Sequence, residues 1–571
     1  MRPVLEVDIR HFRNPEPRHF PVFATGAGWL CLIGLLLSFS AGAFGADSAD
    51  SCSSPDRSTT PLNGDYKDYA GKTITAIRYT SVDVFDTSDP RENNGIYRFL
   101  NWLHINTRPA VIAPQLLFSV GDRLRADRLA ESERLLRTRP YLGDATIEVD
   151  EVCGGNVALL VVTRDIWTLE PQIDLSRQGG ETGHGFGFSE ENLLGTGTAL
   201  TLGYDKDEER SRTSLSFYTP HLLNSRVETS AVFAETSDGQ QTEISVQRPF
   251  FSLDTAWAAG TTHSDITQDE TISYRDEDIN GFSVAAEHHE VFAGWAYDRH
   301  ESFSKRLSIG LTQDREQYRS NEDTLLPLPV DENHVYGWLQ YQYVENAFAV
   351  YRNLNLLHRK EDIPMGMDLR LRLGHGGSSL GNDEDFIQYE VEFTDVLGVG
   401  KYHLLQFAAE VEGRDHQGKL PNERVWGGDL GYHYLVGDKL RSYVQISYAQ
   451  GHQLVPHREL TIGGGDDMRG YPVDYQRGDR RYLLRVEQRY ISDIHLFNLL
   501  RLGGVVYLDA GRAWGAGYAD ATHLSNVGVG LRLGSSKAKV GKVLHLDLAF
   551  PLADKQYVDE YQWVMTASSR L

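Results

Sequence analysis

The chain has 571 residues, with 80 acidic against 56 basic side chains, a formal charge of −24, 54 glycines and 3 cysteines. That length exceeds what one hydrophobic core supports, and the acidic balance excludes nucleic acid as a main partner, because phosphate binding needs a clustered basic surface. No apolar run reaches the roughly 18–20 residues of a membrane helix, which leaves soluble all-β folds and transmembrane β-barrels, whose alternating faces average to a polar composition.

Arg2, Arg10, Arg13 and Arg18 precede an apolar stretch at 29–39, followed by the small residues Ala41, Gly42, Ala43 and Gly45. Residues 1–46 therefore read as a secretory signal, and 47–70, rich in Ser, Asp and Pro without periodicity, as a linker. If Cys31 leaves with the signal, Cys52 and Cys153 form an even pair in an oxidising compartment. A disulfide between them would close a loop of about a hundred residues and stabilise by roughly 4–5 kcal/mol in the chain-entropy account; two free thiols are the alternative.

Residues 71–165 mix periods. The segment 72–85 alternates as a strand does, 97–105 is a short amphipathic stretch, and 123–137 gathers Leu124, Leu129, Leu135 and Leu136 on one helical face. Strands at 145–152 and 157–162 flank a Gly154-Gly155-Asn156 turn. The prediction is a small α+β domain of one strand, two helices and two strands. It lacks a concentration of catalytic residue types, so its partners are expected to be other chains.

From 166 to 571 the helix signals disappear. Met367, Leu369, Leu371 and Leu373 alternate with Asp368, Arg370 and Arg372; Leu544, Leu546, Leu548 and Phe550 alternate with His545, Asp547 and Ala549. About 20 such segments of roughly 9–12 residues fit tilted spanning strands of an antiparallel barrel, and closure removes the sheet edges. With both ends of the barrel on the inner side, the long or acidic connections 265–281, 318–333, 375–385, 413–424 and 452–480 fall outside. The long connection 348–364 falls inside, against the pattern.

The longest outer connection carries Gly463-Gly464-Gly465-Asp466-Asp467-Met468-Arg469-Gly470-Tyr471, and five strands follow it at 481–491, 501–511, 525–534, 541–551 and 559–567. Here the sequence resembles the outer-membrane assembly superfamily typified by BamA and TamA, whose sixth outer loop carries an Arg-Gly-aromatic motif. Gly121-Asp122, Leu135 to Arg137 and Pro140-Tyr141-Leu142 make 71–165 similar to a single periplasmic POTRA domain, and Glu191-Asn192-Leu193-Leu194-Gly195-Thr196-Gly197 resembles an early-barrel turn of the family. The resemblance implies a sixteen-strand barrel in the bacterial outer membrane, with the loop folded into the lumen and its arginine on acidic residues of the next two strands. Glu487 shares a face with Arg485 and Arg489, and Tyr507 with Asp509, so the implied clamp is Arg469, Glu487, Tyr507 and Asp509, beside the loop residues Gly463, Gly464, Gly465, Met468, Gly470 and Tyr471. A buried guanidinium needs paired carboxylates; the same residues would serve a stiffening plug or a gate. The chain departs from the family pattern in its single POTRA-like domain, its higher strand tally, and a C-terminus without the usual terminal aromatic.

The function implied is assistance to polypeptide insertion or translocation. An unfolded or extended substrate would be captured by strand addition, and the family's seam between first and last strands would lie near 168–176 and 560–567. Outer-membrane lipid and periplasmic or lipoprotein accessory factors are the further partners implied. A dedicated two-partner-type secretion transporter and a passive pore or structural barrel are the alternatives. No enzyme, cofactor or metal is expected. Gly377-Ser378-Ser379-Leu380-Gly381 matches G-x-S-x-G, but a strand rather than the required helix follows it. His288-His289 lacks a third ligand at metal spacing, and acids rather than Lys-Ser/Thr follow Gly463-Gly464-Gly465.

Overall fold

A computed structural model describes residues 66–571 except 179–180, 208, 466, 538–542 and 569–571. The expectations for the signal, most of the linker and Cys52, and with it the Cys52–Cys153 pairing, lie outside the described residues.

The N-terminal domain consists of β1 (Thr73–Val82), α1 (Gly95–Leu103), α2 (Pro109–Ile112), α3 (Ala126–Arg137), β2 (Leu142–Cys153) and β3 (Asn156–Asp165). Its sheet has the order β1-β3-β2, with β3 parallel to β1 and antiparallel to β2. The β2–β3 turn uses Gly154 at φ +55°, a conformation glycine adopts without strain. Leu129 and Leu136 of α3 pack on Ile74, Tyr141, Leu142, Ile147, Leu159 and Val161, all buried. Three helices stand where two were expected: α2, opened by Pro109 at its first turn, is too short to leave a periodic signal.

A closed antiparallel barrel of twenty strands follows, from Leu169–Gln178 to Gln562–Ser568, and these two strands pair through Met565 and Arg177. The count corrects the sixteen implied by resemblance and agrees with the tally from alternation. The pattern of burial is inverted relative to a soluble protein. Along the strand Leu500–Trp514, Val506 and Leu508 are exposed while Tyr507 and Asp509 are buried. Elsewhere Trp295, Ile309, Leu339, Leu373, Trp426 and Val529 face outward, and Thr312, Gln342, Gln388, Gln406 and His433 face the interior. An apolar outer belt around a polar lumen suits a protein whose outer solvent is lipid.

Twenty strands put both ends of the barrel on the side of the N-terminal domain, called the inner side below. The segment 265–281, read above as an acidic outer loop, is instead strand. Trp257–Tyr274 and Glu277–Arg299 form a hairpin turned by Arg275 and Asp276, both at positive φ. With 23 residues, the second of these exceeds the roughly 9–11 that cross a bilayer, so the tip of the hairpin extends beyond the lipid. There its outer face needs no apolar residues, and Ile272, Phe282, Val284, Ala286 and Tyr318 bury a cluster of their own. The inner connection 348–364 is a separate two-stranded hairpin, Phe348–Arg352 with Lys360–Pro364, and adds no strand to the barrel.

Candidate functional site

Twenty strands enclose a lumen wider than wall side chains alone can fill, and two inserted elements occupy it. From the outer side comes the loop 453–479. The short strands Leu460–Ile462 and Gln476–Gly478 pair, while Ile462, Met468, Tyr471 and Tyr475 pack on Leu483, Ala513 and Leu524 of the wall. Gly463 has φ +145°, and a Cβ there would lie 2.0 Å from Pro472 O; at Gly470 it would lie 2.9 Å from Asn526 Cβ. Gly464 N–H donates to Tyr471 O at 3.1 Å. The Tyr471 hydroxyl donates to Ser525 O at 2.9 Å. These contacts fix the loop backbone, so Arg469 projects to one place.

Arg469 is 3% exposed. Its Nε and Nη2 donate to the two oxygens of Asp509 at 2.9 and 2.8 Å, and Nη1 lies 2.9 Å from Glu487 Oε1 and 3.4 Å from Asp547 Oδ2. Its guanidinium carbon sits 3.3 Å from the centre of the Tyr507 ring. The carboxylates have further partners: Arg485 and Asn526 on Asp509, Arg489 on Glu487, Arg532 on Asp547. Beside them Arg481 pairs with Asp467 of the loop. Arg469, Arg485, Arg489 and Arg532 thus face the buried carboxylates of Asp509, Glu487 and Asp547, which fits the need of buried charge for pairing. The structure brings Arg469, Glu487, Tyr507 and Asp509 together. Asp547 and Arg532 complete the network and were missed, although the alternation of the last strands places both on the inward face.

From the inner side comes the hairpin 348–364. Asn353 Nδ2 donates to Asp438 O at 3.3 Å, and Leu354 packs with Ile363, Val396 and Leu404. The tip crosses to the far wall, where Leu357 meets Ile491 and Val543 and lies against Gly503 and Gly534. His358 Nε2 is 2.9 Å from Ser492 O. The N-terminal domain holds the hairpin from below: Arg137 of α3 donates to both Asp362 oxygens at 2.8 and 2.9 Å, Arg134 stacks 3.9 Å from the Phe348 ring centre, and Lys360 reaches Asp144 at 3.3 Å.

Glu361 holds the bend by accepting from the N–H groups of Leu354, Asn355 and Leu356 at 2.9–3.2 Å. Burial outweighs those donors and pushes its carboxyl up to about 7. The docked hairpin therefore favours the protonated form. This contribution is complete below the ordinary value of 4.5 and is lost as pH rises through about 7. The protection factors of the amides over 353–358, which exclude the intrinsic rise of exchange with pH, are expected to fall between about pH 5 and about pH 8, and Glu361→Gln is expected to flatten that fall.

The domain also grips the inner turns around the ring. Arg226 donates to Pro114 O and Leu116 O at 2.9 and 2.8 Å, Leu253 N–H to Glu131 at 3.1 Å, and Lys537 to Glu92 at 2.7 Å. In the turn 191–197, Asn192 donates to Thr107 Oγ1 at 2.9 Å, and Gly195 O accepts from Arg108 N–H at 3.0 Å. Gly195 has φ +72°, and a Cβ there would lie 2.6 Å from Asn106 O. Gly195→Ala is expected to weaken docking by about 1–3 kcal/mol, seen as faster amide exchange over 104–111.

Compared with known proteins, residues 192–570 match the Omp85 superfamily domain, which covers the barrel from its first inner turn to its last strand. The chain belongs to the Omp85 superfamily. Omp85 proteins mediate protein insertion or secretion at the outer membrane, and this chain is an outer-membrane barrel of that family. Among curated proteins none matches in sequence. Among solved structures, CdiB from Acinetobacter baumannii is similar at 13% identity, with 91% of this chain and 94% of that chain covered and a TM-score of 0.42. BamA from Haemophilus ducreyi lacking POTRA domains 1–3 is similar at 13% identity, with 86% and 84% covered and a TM-score of 0.37. CdiB from Escherichia coli is similar at 12% identity, with 87% and 77% covered and a TM-score of 0.45.

In this Omp85 barrel the residues 377–381 form an outer turn, and the strand Phe386–Val399 follows where a nucleophile elbow would need a helix. His288 lies 2.6 Å from Asp314 and His289 3.1 Å from His263, on opposite faces of one strand.

Proposed function

We propose that this Omp85 protein assists insertion or translocation of polypeptides at the outer membrane. Its N-terminal domain, 71–165, is POTRA-like, lies in the periplasm, and receives an extended or unfolded segment; residues 166–571 form the barrel. Capture is by strand addition to the domain's sheet. On β2, the Ile147 N–H and carbonyl are already taken by Glu133 and Tyr66. On β1 the turn at Gly121 and Asp122 takes Ile74, and residues 76–82 continue that edge toward the barrel. Main-chain pairing there supplies affinity without strict side-chain selection.

One observation carries the reading: the domain and the hairpin 348–364 together cover the inner mouth while Arg469 holds the outer loop in the lumen. A barrel obstructed at both levels, with a receiving domain bonded to the inner obstruction, suits a gated handler of polypeptides better than an open pore. The seam between Leu169–Gln178 and Gln562–Ser568 is the place where a nascent strand would exchange pairing. The clamp makes the loop a latch, and loop release accompanies opening.

Depleting the protein and comparing outer-membrane with secreted proteomes tests the reading. Loss of many integral barrels is expected of an insertase. Loss of one exported polypeptide would assign the protein as a dedicated two-partner-type transporter. Unchanged proteomes would contradict both.

A further inference from the structure

Helix α1 follows β1 in the chain, and one of its faces packs on the segment around Phe85. On that face Tyr97 stacks on Phe85 with ring centres 4.4 Å apart, Asn101 exchanges two hydrogen bonds with the Phe85 backbone at 3.0 and 2.8 Å, and His104, just past the helix, lies 3.2 Å from Asp165. The opposite face presents Ile96, Phe99, Trp102 and Leu103, which are 70%, 56%, 77% and 47% exposed. Asn94 caps the helix by accepting from Tyr97 N–H, so it is a well-formed nine-residue helix. A contiguous aromatic and aliphatic face of this kind is uncommon on a surface that meets water.

Its position identifies what covers it. Tyr97 Oη donates to Phe497 O at 2.6 Å, and Asn498 donates to Arg91 O at 3.2 Å. Phe497 and Asn498 form the inner turn between two barrel strands, and Phe497, with Ile494, Leu496 and Leu500 beside it, is also exposed. The exposed apolar residues of this turn therefore lie beside α1. Arg98, the helix's one charged side chain, is exposed at its edge, where a phosphate headgroup would meet it.

We infer that the outer face of α1 is a membrane foot: it lies in the plane of the phospholipid leaflet at the inner end of the barrel, with Trp102 and Phe99 at headgroup and upper acyl depth. In-plane amphipathic helices bind in this manner, and tryptophan favours that depth. The foot ties the domain to the membrane beside the barrel as well as to the barrel's own turns, and so fixes the domain's angle over the mouth.

The test uses the full chain in vesicles of phosphatidylethanolamine and phosphatidylglycerol, with bromine placed on the acyl chains either near the headgroup or near the bilayer centre. The fluorescence difference between wild type and Trp102→Phe isolates the emission of Trp102 from that of the barrel tryptophans. The expected result is a blue-shifted Trp102 component that loses most of its intensity to shallow bromine and little to deep bromine. In Phe99→Asn/Trp102→Asn, amide exchange over 95–103 is expected to accelerate while the barrel strands stay protected. A water-like Trp102 component unaffected by bromine, or exchange unchanged in the double variant, would overturn the inference. So would quenching or burial that appears only after a soluble protein fraction is added, which would assign the face to a protein partner.

Discussion

Replacing Arg469 with alanine is expected to lower the stability of the folded barrel by about 3–5 kcal/mol, the range for removing one partner of a buried ion pair, and to free the loop 453–479 from the lumen. The substitution leaves the buried Asp509, Glu487 and Asp547 with fewer cations than the fold places around them. Arg485 and Arg532 cannot move across to compensate, because each is already engaged on one of these carboxylates. Arg469→Lys is expected to recover little. An ammonium cannot span both Asp509 oxygens while lying flat on Tyr507. Tyr471 and Met468 would then leave their wall contacts, since the loop's apolar cluster is held on the same side as the clamp. The checks are the temperature at which the folded band converts on semi-native electrophoresis and the rate of protease cleavage within 453–479. Wild-type behaviour in both would remove the clamp from the account.

Excision of the inner hairpin is expected to open the inner level of the barrel. Met365 N–H donates to Ala347 O at 2.7 Å, so the ends of the excised segment 348–364 already lie side by side, and a two-residue Gly-rich turn can bridge them without moving the flanking strands. The excision removes the tip that reaches Ser492, Gly503 and Gly534 and the anchor of Arg137 on Asp362. In planar bilayers the wild-type protein should hold a closed baseline and the excised variant a small but steady conductance, limited by the loop 453–479 that Arg469 still holds in the lumen. Arg137→Ala should produce brief openings rather than a steady pore, because it removes one charge-assisted anchor worth about 1–3 kcal/mol and leaves the Leu357 contacts in place. An excised variant as silent as wild type would show that something other than this hairpin closes the mouth.

The barrel was legible because a membrane strand has a period of two wherever lipid touches it, and stripes such as Leu369, Leu371 and Leu373 mark the wall directly. Legibility failed where lipid stopped. The hairpin Trp257–Tyr274 and Glu277–Arg299 loses its outer apolar stripe beyond the bilayer, and its acidic tip reads as loop. The clamp was legible in part. The Arg-Gly-Tyr motif and the two strands after it led to Glu487, Tyr507 and Asp509, whereas Asp547 and Arg532 sit on strands whose polar faces carry no motif. The hairpin 348–364 had the right side by parity, but nothing in its sequence states that it crosses the lumen, because its partners Ile491, Gly503, Gly534 and Val543 are more than a hundred residues away. In α1 the amphipathic period was plain; that its apolar side faces away from the domain is a property of the tertiary fold.

A polypeptide-handling barrel gated by an internal hairpin should fail when that hairpin is locked in place. A Cβ at position 534 would lie 3.2 Å from the Leu357 Cβ, so Leu357→Cys/Gly534→Cys places two thiols within reach of a disulfide after slight relaxation. Under oxidising conditions a fully folded barrel is expected, one that fails to sustain the outer-membrane or secreted proteome and recovers when reductant is added. A locked protein that supports both proteomes as wild type does would contradict it.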